Sequence, residues 1–200
     1  MSAIEVRSID ALPVERWRNG GGVTRTIAAG ASNGAQWRIS LAEVERNGPY
    51  SRFEGIDRLS LVLRGAGVML RETRSTVTLT PFEPVEYDGS SNWQATLIDG
   101  PVTALNVMTT SGRYRASITV IGAPLTVQPG CAVAAVALHG GCAWREAASE
   151  ARGDIEAGQF LIAASLDRVI ELLPTAPAID KAHAPKLPVL VTIEPASAHD

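Results

Sequence analysis

Short apolar runs recur along the chain at intervals of about ten residues, and they constrain its fold more than any other feature. The runs are rich in Val, Ile, Leu and Thr, and Gly, Pro, Asn and Asp separate them, as in β-sandwiches and β-barrels. Helical periodicity is nearly absent, and the one predicted helix covers the Ala- and Glu-rich residues 144–151. The sequence therefore predicts an all-β fold.

A weak internal similarity predicts how the strands are grouped. The segment LVLRGAG at residues 61–67 resembles VALHGG at residues 136–141, and a second strand pair follows each of them. Strand, glycine turn and strand is the pattern of a small jelly-roll barrel, so two fused jelly-roll barrels are expected. The predicted strands are residues 4–8, 23–28, 36–44, 59–63, 68–71, 76–79, 95–98, 103–108, 116–121, 132–138, 160–164, 169–172 and 189–193.

The predicted boundary between the barrels lies in a Ser-Gly-Arg segment at residues 111–113. It gives an N-terminal barrel of residues 1–112 and a C-terminal barrel of residues 113–200. Residues 174–188 are rich in Pro and Ala and are predicted to form a linker to the last strand, followed by a frayed tail at residues 195–200.

Composition and charge exclude several classes of protein. The 200 residues carry a formal net charge of -3, with acidic and basic residues mixed along the chain, so no nucleic-acid partner is expected. No apolar run approaches the length of a membrane span, and the N-terminus does not resemble a signal peptide. Cys131 and Cys142 form no CxxC motif, which favours buried free thiols and a cytoplasmic location.

The histidines do not suggest a metal site. His139, His183 and His199 are the only ones in the chain, and none is paired at the spacing of metal ligands. The pair Gly65 and Gly67 lacks the third glycine and the helix of a dinucleotide-binding motif. We therefore predict no metal, no cofactor and no catalytic residue of a standard type.

The segment WRNGGGVTR at residues 17–25 is the most unusual local feature of the sequence. Consecutive glycine amides can form a concave nest that binds an anion, although the same glycines would equally suit a tight turn or a bulge. Alternation along the strands places Arg38 and Ser40 on the face opposite their apolar neighbours, and it places Asn106 on one face with Ala104 and Met108. Arg38 and Asn106 are therefore expected to present polar groups from an otherwise apolar sheet.

Guanidinium groups recognise carboxylates through two parallel hydrogen bonds, and amide groups add directional donors. Together these observations predict one pocket for a small anionic metabolite, a carboxylate. The predicted ligand-binding residues are Trp17, Asn19, Gly20, Gly21, Gly22, Thr24, Arg38, Arg58 and Asn106.

Four ordered motifs resemble the HutD/Ves family: WRNGGGVTR, WRIS at residues 37–40, a GPYS…GIDR segment at residues 48–58 and a GPV…NVM segment at residues 100–108. The resemblance implies a cytoplasmic bacterial bicupin with the pocket in its first barrel. It also implies a place among histidine-utilization genes and a regulatory or ligand-sensing role toward urocanate or N-formylglutamate. Thr26 and the pair Ala104 and Leu105 depart from the family pattern, which replaces acidic residues and would make the pocket more positive.

Three hypotheses about function follow. The leading one is a non-enzymatic cupin that binds a small carboxylate and acts as a regulator or sensor. The alternative is a metal-independent cupin enzyme, an isomerase or hydrolase of a small polar metabolite, in which Tyr50, Glu43 or His139 supplies the acid or base. The third is a protein-interaction module without a pocket. The sequence is compatible with a homodimer and does not decide the oligomeric state.

Overall fold

The computed structural model describes residues 3–175 and 187–196, and within these residues it contains strands and no α-helix. The chain divides into two compact units. We call Leu12–Tyr114 the N-terminal unit, and Met1–Ala11 together with Arg115–Asp200 the C-terminal unit. Most of the predicted Pro- and Ala-rich linker, and the end of the predicted tail, lie outside the described residues.

The all-β fold predicted from the sequence is confirmed. The predicted strands are found with small shifts at their ends, and several short strands were not predicted. In chain order the strands are β1 (Glu5–Ser8), β2 (Glu15–Arg16), β3 (Gly22–Ser32), β4 (Ala35–Val44), β5 (Gly48–Pro49), β6 (Ile56–Arg64), β7 (Val68–Arg71), β8 (Thr76–Leu79), β9 (Val85–Asp88), β10 (Gln94–Leu97), β11 (Val102–Thr110), β12 (Tyr114–Val120), β13 (Leu125–Val127), β14 (Ala132–Ala137), β15 (Cys142–Glu146), β16 (Arg152–Ile155), β17 (Gln159–Ala163), β18 (Ile170–Pro174) and β19 (Val189–Pro195).

The N-terminal unit is a sandwich of two antiparallel sheets. The larger sheet has the order β2-β3-β4-β11-β6-β9, and the smaller sheet has the order β5-β10-β7-β8. Side chains from both sheets form one core, because each sheet must bury an apolar face. The fully enclosed members of this core are Val44, Val62, Val68, Leu70, Leu79, Tyr87, Trp93, Ala95 and Val102.

The C-terminal unit repeats this arrangement. Its smaller sheet has the order β13-β18-β15-β16, in which every strand number is eight higher than in β5-β10-β7-β8. The same offset relates β17-β14-β19-β12 to β9-β6-β11-β4. The shared order confirms the two fused jelly-roll barrels that the internal similarity predicts, and it places residues 61–67 and 136–141 at equivalent strand ends.

The structure differs from the predicted division at the N-terminus of the chain. Strand β1 pairs antiparallel with β17, with Val6 opposite Leu161, and the Ile9 amide donates to the Gly158 carbonyl at 2.8 Å. Without β1, strand β17 would present unpaired backbone groups at the edge of the C-terminal sheet. The first eleven residues therefore belong to the C-terminal unit and not to the predicted barrel of residues 1–112.

The predicted helix at residues 144–151 is wrong, because this segment forms the end of β15 and the turn into β16. Trp144 stands opposite Gly153 in this hairpin, and its indole covers the place where a Cβ on Gly153 would lie. Strand pairing and this cross-strand contact outweigh the helix propensity of a few Ala and Glu residues, which cannot stabilise so short a helix.

Both cysteines are free and buried, as the sequence predicts. Burial raises the pKa of Cys142 to about 11, and the carboxylate of Asp154 adds to the rise. Cys142 is therefore an uncharged thiol at neutral pH and packs as part of the apolar core of the C-terminal unit. No helix in the described part of the chain is long and apolar enough to cross a membrane.

Candidate functional site

Strand register places Arg38 and Arg58, both predicted to bind the ligand, in one row across the larger sheet of the N-terminal unit. On β11, Met108 stands opposite Arg38 of β4 on one side and opposite Arg58 of β6 on the other. Tyr87 of β9 continues the row beyond Arg58. Opposed residues in paired strands project from the same face, so both guanidinium groups reach the same side of the sheet.

A second row of small polar residues lies beside the first. Asn106 of β11 stands opposite Ser40 on one side and Ser60 on the other. All three side chains are buried. Because they are two positions along each strand from the arginine row, they project from the same face, and the alternation predicted for Arg38, Ser40 and Asn106 is found in the structure.

This face forms the floor of an open cavity of about 160 Å³. Of the predicted ligand-binding residues, Trp17, Thr24, Arg38, Arg58 and Asn106 line it, and Asn19 and the three glycines do not. The full lining consists of Glu15, Arg16, Trp17, Thr24, Arg38, Ser40, Ala42, Tyr50, Ser51, Phe53, Arg58, Asn106 and Met108.

Arg58 is the most informative residue of this cavity because it is only 7% exposed. Its guanidinium lies between two aromatic rings, 5.2 Å from the centroid of Tyr50 and 5.1 Å from that of Tyr87. Its Nη2 lies 3.5 Å from Oδ1 of Asn106, and its Nε has no hydrogen-bond partner. Among the described residues no carboxylate lies within 4.0 Å of this guanidinium. A buried cation thus lines the cavity without a counter-ion.

A short hydrogen-bond chain fixes the orientation of Asn106. The Ser60 hydroxyl donates to Oδ1 of Asn106 at 2.6 Å and lies 2.9 Å from the Tyr87 hydroxyl, which donates to it. Oδ1 of Asn106 therefore accepts from Ser60 and faces Arg58, and the amide is held with its Nδ2 as the remaining donor. In the part of the chain that the structure describes, this Nδ2 has no acceptor, so it can donate to a ligand.

We expect Ser60→Ala to lower the free energy of unfolding by about 1–2 kcal/mol, because it leaves the Tyr87 hydroxyl and Oδ1 of Asn106 without this buried partner. Chemical denaturation measures the effect. Ser117→Ala is the matched control, since Ser117 makes a hydroxyl contact with Thr192 at 2.8 Å in an exposed position. An equal loss in both variants would contradict the importance of the buried chain.

Tyr50 was not among the predicted binding residues, although it lies in the GPYS motif. Its ring meets that of Trp17 edge to face at a centroid distance of 5.9 Å. Burial raises the pKa of Tyr50 well above its usual value, Tyr87 adds to the rise and the Arg58 guanidinium opposes it. At neutral pH Tyr50 is therefore a protonated phenol, which can donate a hydrogen bond but cannot act as a base.

Arg38 lines the cavity beside Met108, and its Nη2 lies 3.3 Å from the Met108 sulfur. The guanidinium carbon is 5.9 Å from the ring centroid of Phe53. A thioether is a weak acceptor and a ring face at this distance is a weak partner, so neither satisfies the charge. As with Arg58, no carboxylate within the described ranges pairs with Arg38.

The glycine segment shapes a loop and does not line the cavity. The Gly20 amide donates to the Trp17 carbonyl at 3.0 Å, and the Gly21 amide donates to Oδ1 of Asn19 at 2.9 Å. Nδ2 of Asn19 donates to the Pro49 carbonyl at 2.9 Å, and this hydrogen bond connects the glycine loop to β5. Two of the amides predicted to bind an anion are thus used within the loop, and Asn19 fastens the loop that carries Trp17.

Gly22 serves close backbone packing. It stands opposite Val44 in the ladder between β3 and β4, and a Cβ at this position would lie 2.1 Å from the Glu43 carbonyl oxygen. The loop then presents Trp17, whose Nε1 donates to the Thr24 hydroxyl at 2.7 Å on the cavity wall.

Of the three residues suggested for enzymatic acid or base chemistry, Tyr50 lines the cavity, and Glu43 and His139 do not. Glu43 pairs with Arg25 and does not line the cavity, and His139 belongs to the C-terminal unit. Within residues 3–175 and 187–196, no group of three His, Cys, Asp or Glu side chains is arranged to hold a metal ion.

Thr26 and Ala104, which depart from the HutD/Ves sequence pattern, lie in different surroundings. Thr26 lies on β3, where its hydroxyl is 3.3 Å from a carboxylate oxygen of Glu15, and Glu15 lines the cavity. An acidic side chain is therefore present near the position of Thr26. Ala104 is fully buried and does not line the cavity. With three arginines and one glutamate in the lining, the cavity keeps an excess of positive charge.

The equivalent positions of the C-terminal unit are apolar. The internal similarity aligns residues 61–65 with residues 136–140, and the register of β14 with β19 extends this alignment to β11. On this alignment the counterparts of the buried arginine, serine and asparagine are all core residues of the C-terminal unit. These counterparts are Val133, Ala135 and Leu190.

Two jelly-roll sandwiches with the same strand order define a bicupin. In agreement, a cupin barrel protein from Leptotrichia buccalis superposes with a TM-score of 0.56 at 10% identity, covering 98% of this chain and 97% of that chain. Residues 10–177 match the sequence model of the HutD family, and the chain belongs to this family.

Curated relatives agree with the assignment. Protein Ves of Citrobacter koseri is 37% identical over 121 residues, which is 58% of this chain and 63% of that protein. A Pseudomonas putida protein described as an uncharacterized 21.2 kDa protein in the hutC 3' region is 31% identical over 122 residues, 59% of this chain and 64% of that protein. The chain thus matches somewhat less than two thirds of the length of these two relatives.

A solved structure supports the fold along nearly the whole chain. The structure of HutD from Pseudomonas fluorescens SBW25, whose description adds the words "Formate condition", superposes on this chain with a TM-score of 0.75 at 21% identity. The superposition covers 98% of this chain and 100% of that chain.

Proposed function

We propose that the N-terminal unit binds a small carboxylate and that the protein acts as a ligand-binding regulator and not as an enzyme. One observation carries the proposal: the Arg58 guanidinium is buried on the wall of an open cavity with no carboxylate within 4.0 Å in the described chain. Removing a cation from water is costly unless an opposite charge or hydrogen-bond acceptors replace the water. A carboxylate ligand would supply both.

The donors around Arg58 match such a ligand. A guanidinium offers a carboxylate two parallel hydrogen bonds, which net about 1.5–3 kcal/mol after desolvation. Nδ2 of Asn106, held by the Ser60 chain, adds a neutral donor on the same wall. Tyr50, which burial keeps protonated, adds another. Such a set holds an anion in place but, unlike a neutral histidine, does not abstract a proton at neutral pH.

Cavity size favours a small acid or a small acidic group. At about 160 Å³ the cavity resembles in volume the engineered apolar cavity of about 150 Å³ that accepts benzene. By that comparison it accommodates a group of roughly six non-hydrogen atoms. Formate and acetate fit entirely, whereas larger metabolites enter with their carboxylate end.

The family assignment supports a role in histidine utilization. The chain belongs to the HutD family, and the Pseudomonas putida relative is described by its place beside hutC. We therefore propose urocanate or N-formylglutamate as the class of physiological ligand and sensing of a pathway intermediate as the role.

Calorimetric titration of the whole chain at pH 7 tests the proposal. Formate, acetate, urocanate and N-formylglutamate are the ligands, and formamide and acetamide are uncharged controls of the same shape. We expect saturable heats for the acids, weaker at high salt because the attraction is electrostatic, and none for the amides. Heatless titrations of every acid would refute binding. Conversion of a bound acid, followed by NMR, would refute the non-enzymatic role.

A further inference from the structure

A second cavity adjoins the first at the larger sheet of the N-terminal unit. It has a volume of about 400 Å³ and is mostly apolar. It shares Arg38, Phe53 and Met108 with the carboxylate cavity. Its other lining residues are Ala29, Gly30, Ala31, Gln36, Trp37 and Ile56.

Strand register shows that the two cavities have a continuous floor. Ala29 of β3 stands opposite Arg38, which stands opposite Met108, which stands opposite Arg58. With neighbouring strands about 4.8 Å apart, the Cα atoms of Arg38 and Ala29 lie about 10 Å and 14 Å from that of Arg58. A ligand held at Arg58 therefore reaches the second cavity by extending across Met108.

We infer that the second cavity binds the aromatic tail of the ligand whose carboxylate lies at Arg58. This inference rests on the proposed carboxylate site and specifies the class of acid that occupies it. An acid with more than about six non-hydrogen atoms outgrows the first cavity and must extend out of it. The neighbouring cavity, with its apolar lining, removes such an extension from water.

The residues shared by the two cavities favour a ring over an aliphatic tail. Among the residues that the structure describes, the Arg38 guanidinium has only the Met108 sulfur and the Phe53 ring as partners. A cation without a carboxylate partner gains from an additional aromatic face, and a thioether sulfur packs favourably against a ring edge. Arg38 thus contacts the junction between carboxylate and ring, and Phe53 lies beside it.

Matched pairs of acids test the inference by calorimetry on the whole chain. Each pair shares a chain length and differs by a phenyl group: acetate and phenylacetate, propionate and phenylpropionate, butyrate and phenylbutyrate. A buried methylene group strengthens binding by roughly fourfold, so a largely buried ring is expected to give at least about a tenfold gain. The gain in affinity from the phenyl group should be greatest for the acid whose methylene chain is long enough to span Met108.

Ala29→Phe fills the second cavity and is expected to reduce the affinity ratio of each pair to near one. Ala29 is exposed, so the substitution does not disturb the core, and Ala31→Leu fills the same cavity if Ala29→Phe does not fold. Ala157→Phe, at an exposed turn of the C-terminal unit, is the control and should leave the ratio unchanged.

The outcomes separate this inference from the proposed function. If short acids bind and phenyl acids bind no more tightly, the inference of an aromatic tail site is refuted, but the carboxylate site is not. A phenyl gain that persists in both filled variants would also overturn it, since the ring would then lie elsewhere. If neither short nor phenyl acids bind, the carboxylate site itself is refuted, and the tail site with it.

Discussion

Arg58→Met is expected to weaken carboxylate binding by about 30-fold or more without lowering the stability of the protein. The loss in affinity follows because one partner of a buried, hydrogen-bonded charge pair is removed, which typically costs 2–5 kcal/mol. Met is chosen because its unbranched side chain fills the slot between the rings of Tyr50 and Tyr87. Calorimetric titration with acetate or N-formylglutamate measures the affinity.

The stability of this variant distinguishes a binding residue from a structural one. Arg58 is a buried cation that no carboxylate of the described chain pairs with, and removing an uncompensated buried charge is neutral or favourable. The lost contacts with the two rings offset part of this gain, at up to about 2 kcal/mol. We therefore expect a melting temperature equal to or above that of the wild type in scanning calorimetry.

Arg64→Met is the matched control on the same strand, because Arg64 is an exposed residue at the end of β6. Its affinity should equal that of the wild type, and its stability should change by less than about 0.5 kcal/mol. Wild-type affinity in Arg58→Met would remove the basis of the proposed function. A large loss of stability would show instead that the guanidinium supports the fold.

Gly22→Ala is expected to destabilise the protein by about 3 kcal/mol or more and to lower its melting temperature by about 10 °C or more. The added Cβ would lie 2.1 Å from the carbonyl oxygen of Glu43. That oxygen belongs to the backbone of β4, a strand paired on both sides by β3 and β11, so it cannot move without disrupting two ladders. Chemical and thermal denaturation measure the effect.

Gly21→Ala is the control one residue earlier. Its Cβ would lie 3.2 Å from Oδ1 of Asn19, the end of a side chain that can shift by a few tenths of an ångström. We expect a loss of at most about 1 kcal/mol. If the two variants were equally stable, the close approach of β3 to Glu43 would not limit stability, and the glycines would then be interchangeable loop residues.

Alternation along single strands was the most reliable guide to the site. It placed Arg38 and Ser40 on one face of β4, and both line the cavity that Asn106 of β11 also lines. These assignments depend only on the two-residue period of a strand, which is local information. The four ordered motifs gave the family, which the match over residues 10–177 confirms.

Burial and pairing across the sheet could not be predicted in the same way. That Arg58 lies between Tyr50 and Tyr87 depends on how the loop before β6 folds and on the pairing of β6 with β9, and the importance of Tyr50 follows from this contact. The glycine amides were predicted to face a ligand, but Trp17 and Asn19 supply nearer acceptors once the loop closes. The pairing of β1 with β17 is likewise set by a free strand edge and not by any local signal.

The repeated strand order of the two units implies that a single ancestral barrel was duplicated and that its copies then diverged. One copy holds a buried guanidinium, which lowers its stability. The other copy has Val, Ala and Leu at the same positions. Substitutions in the Ala- and Val-rich strand β14 should therefore change only the stability of the protein, whereas substitutions at Arg58 and Ser60 of its counterpart β6 should also change the proposed carboxylate site.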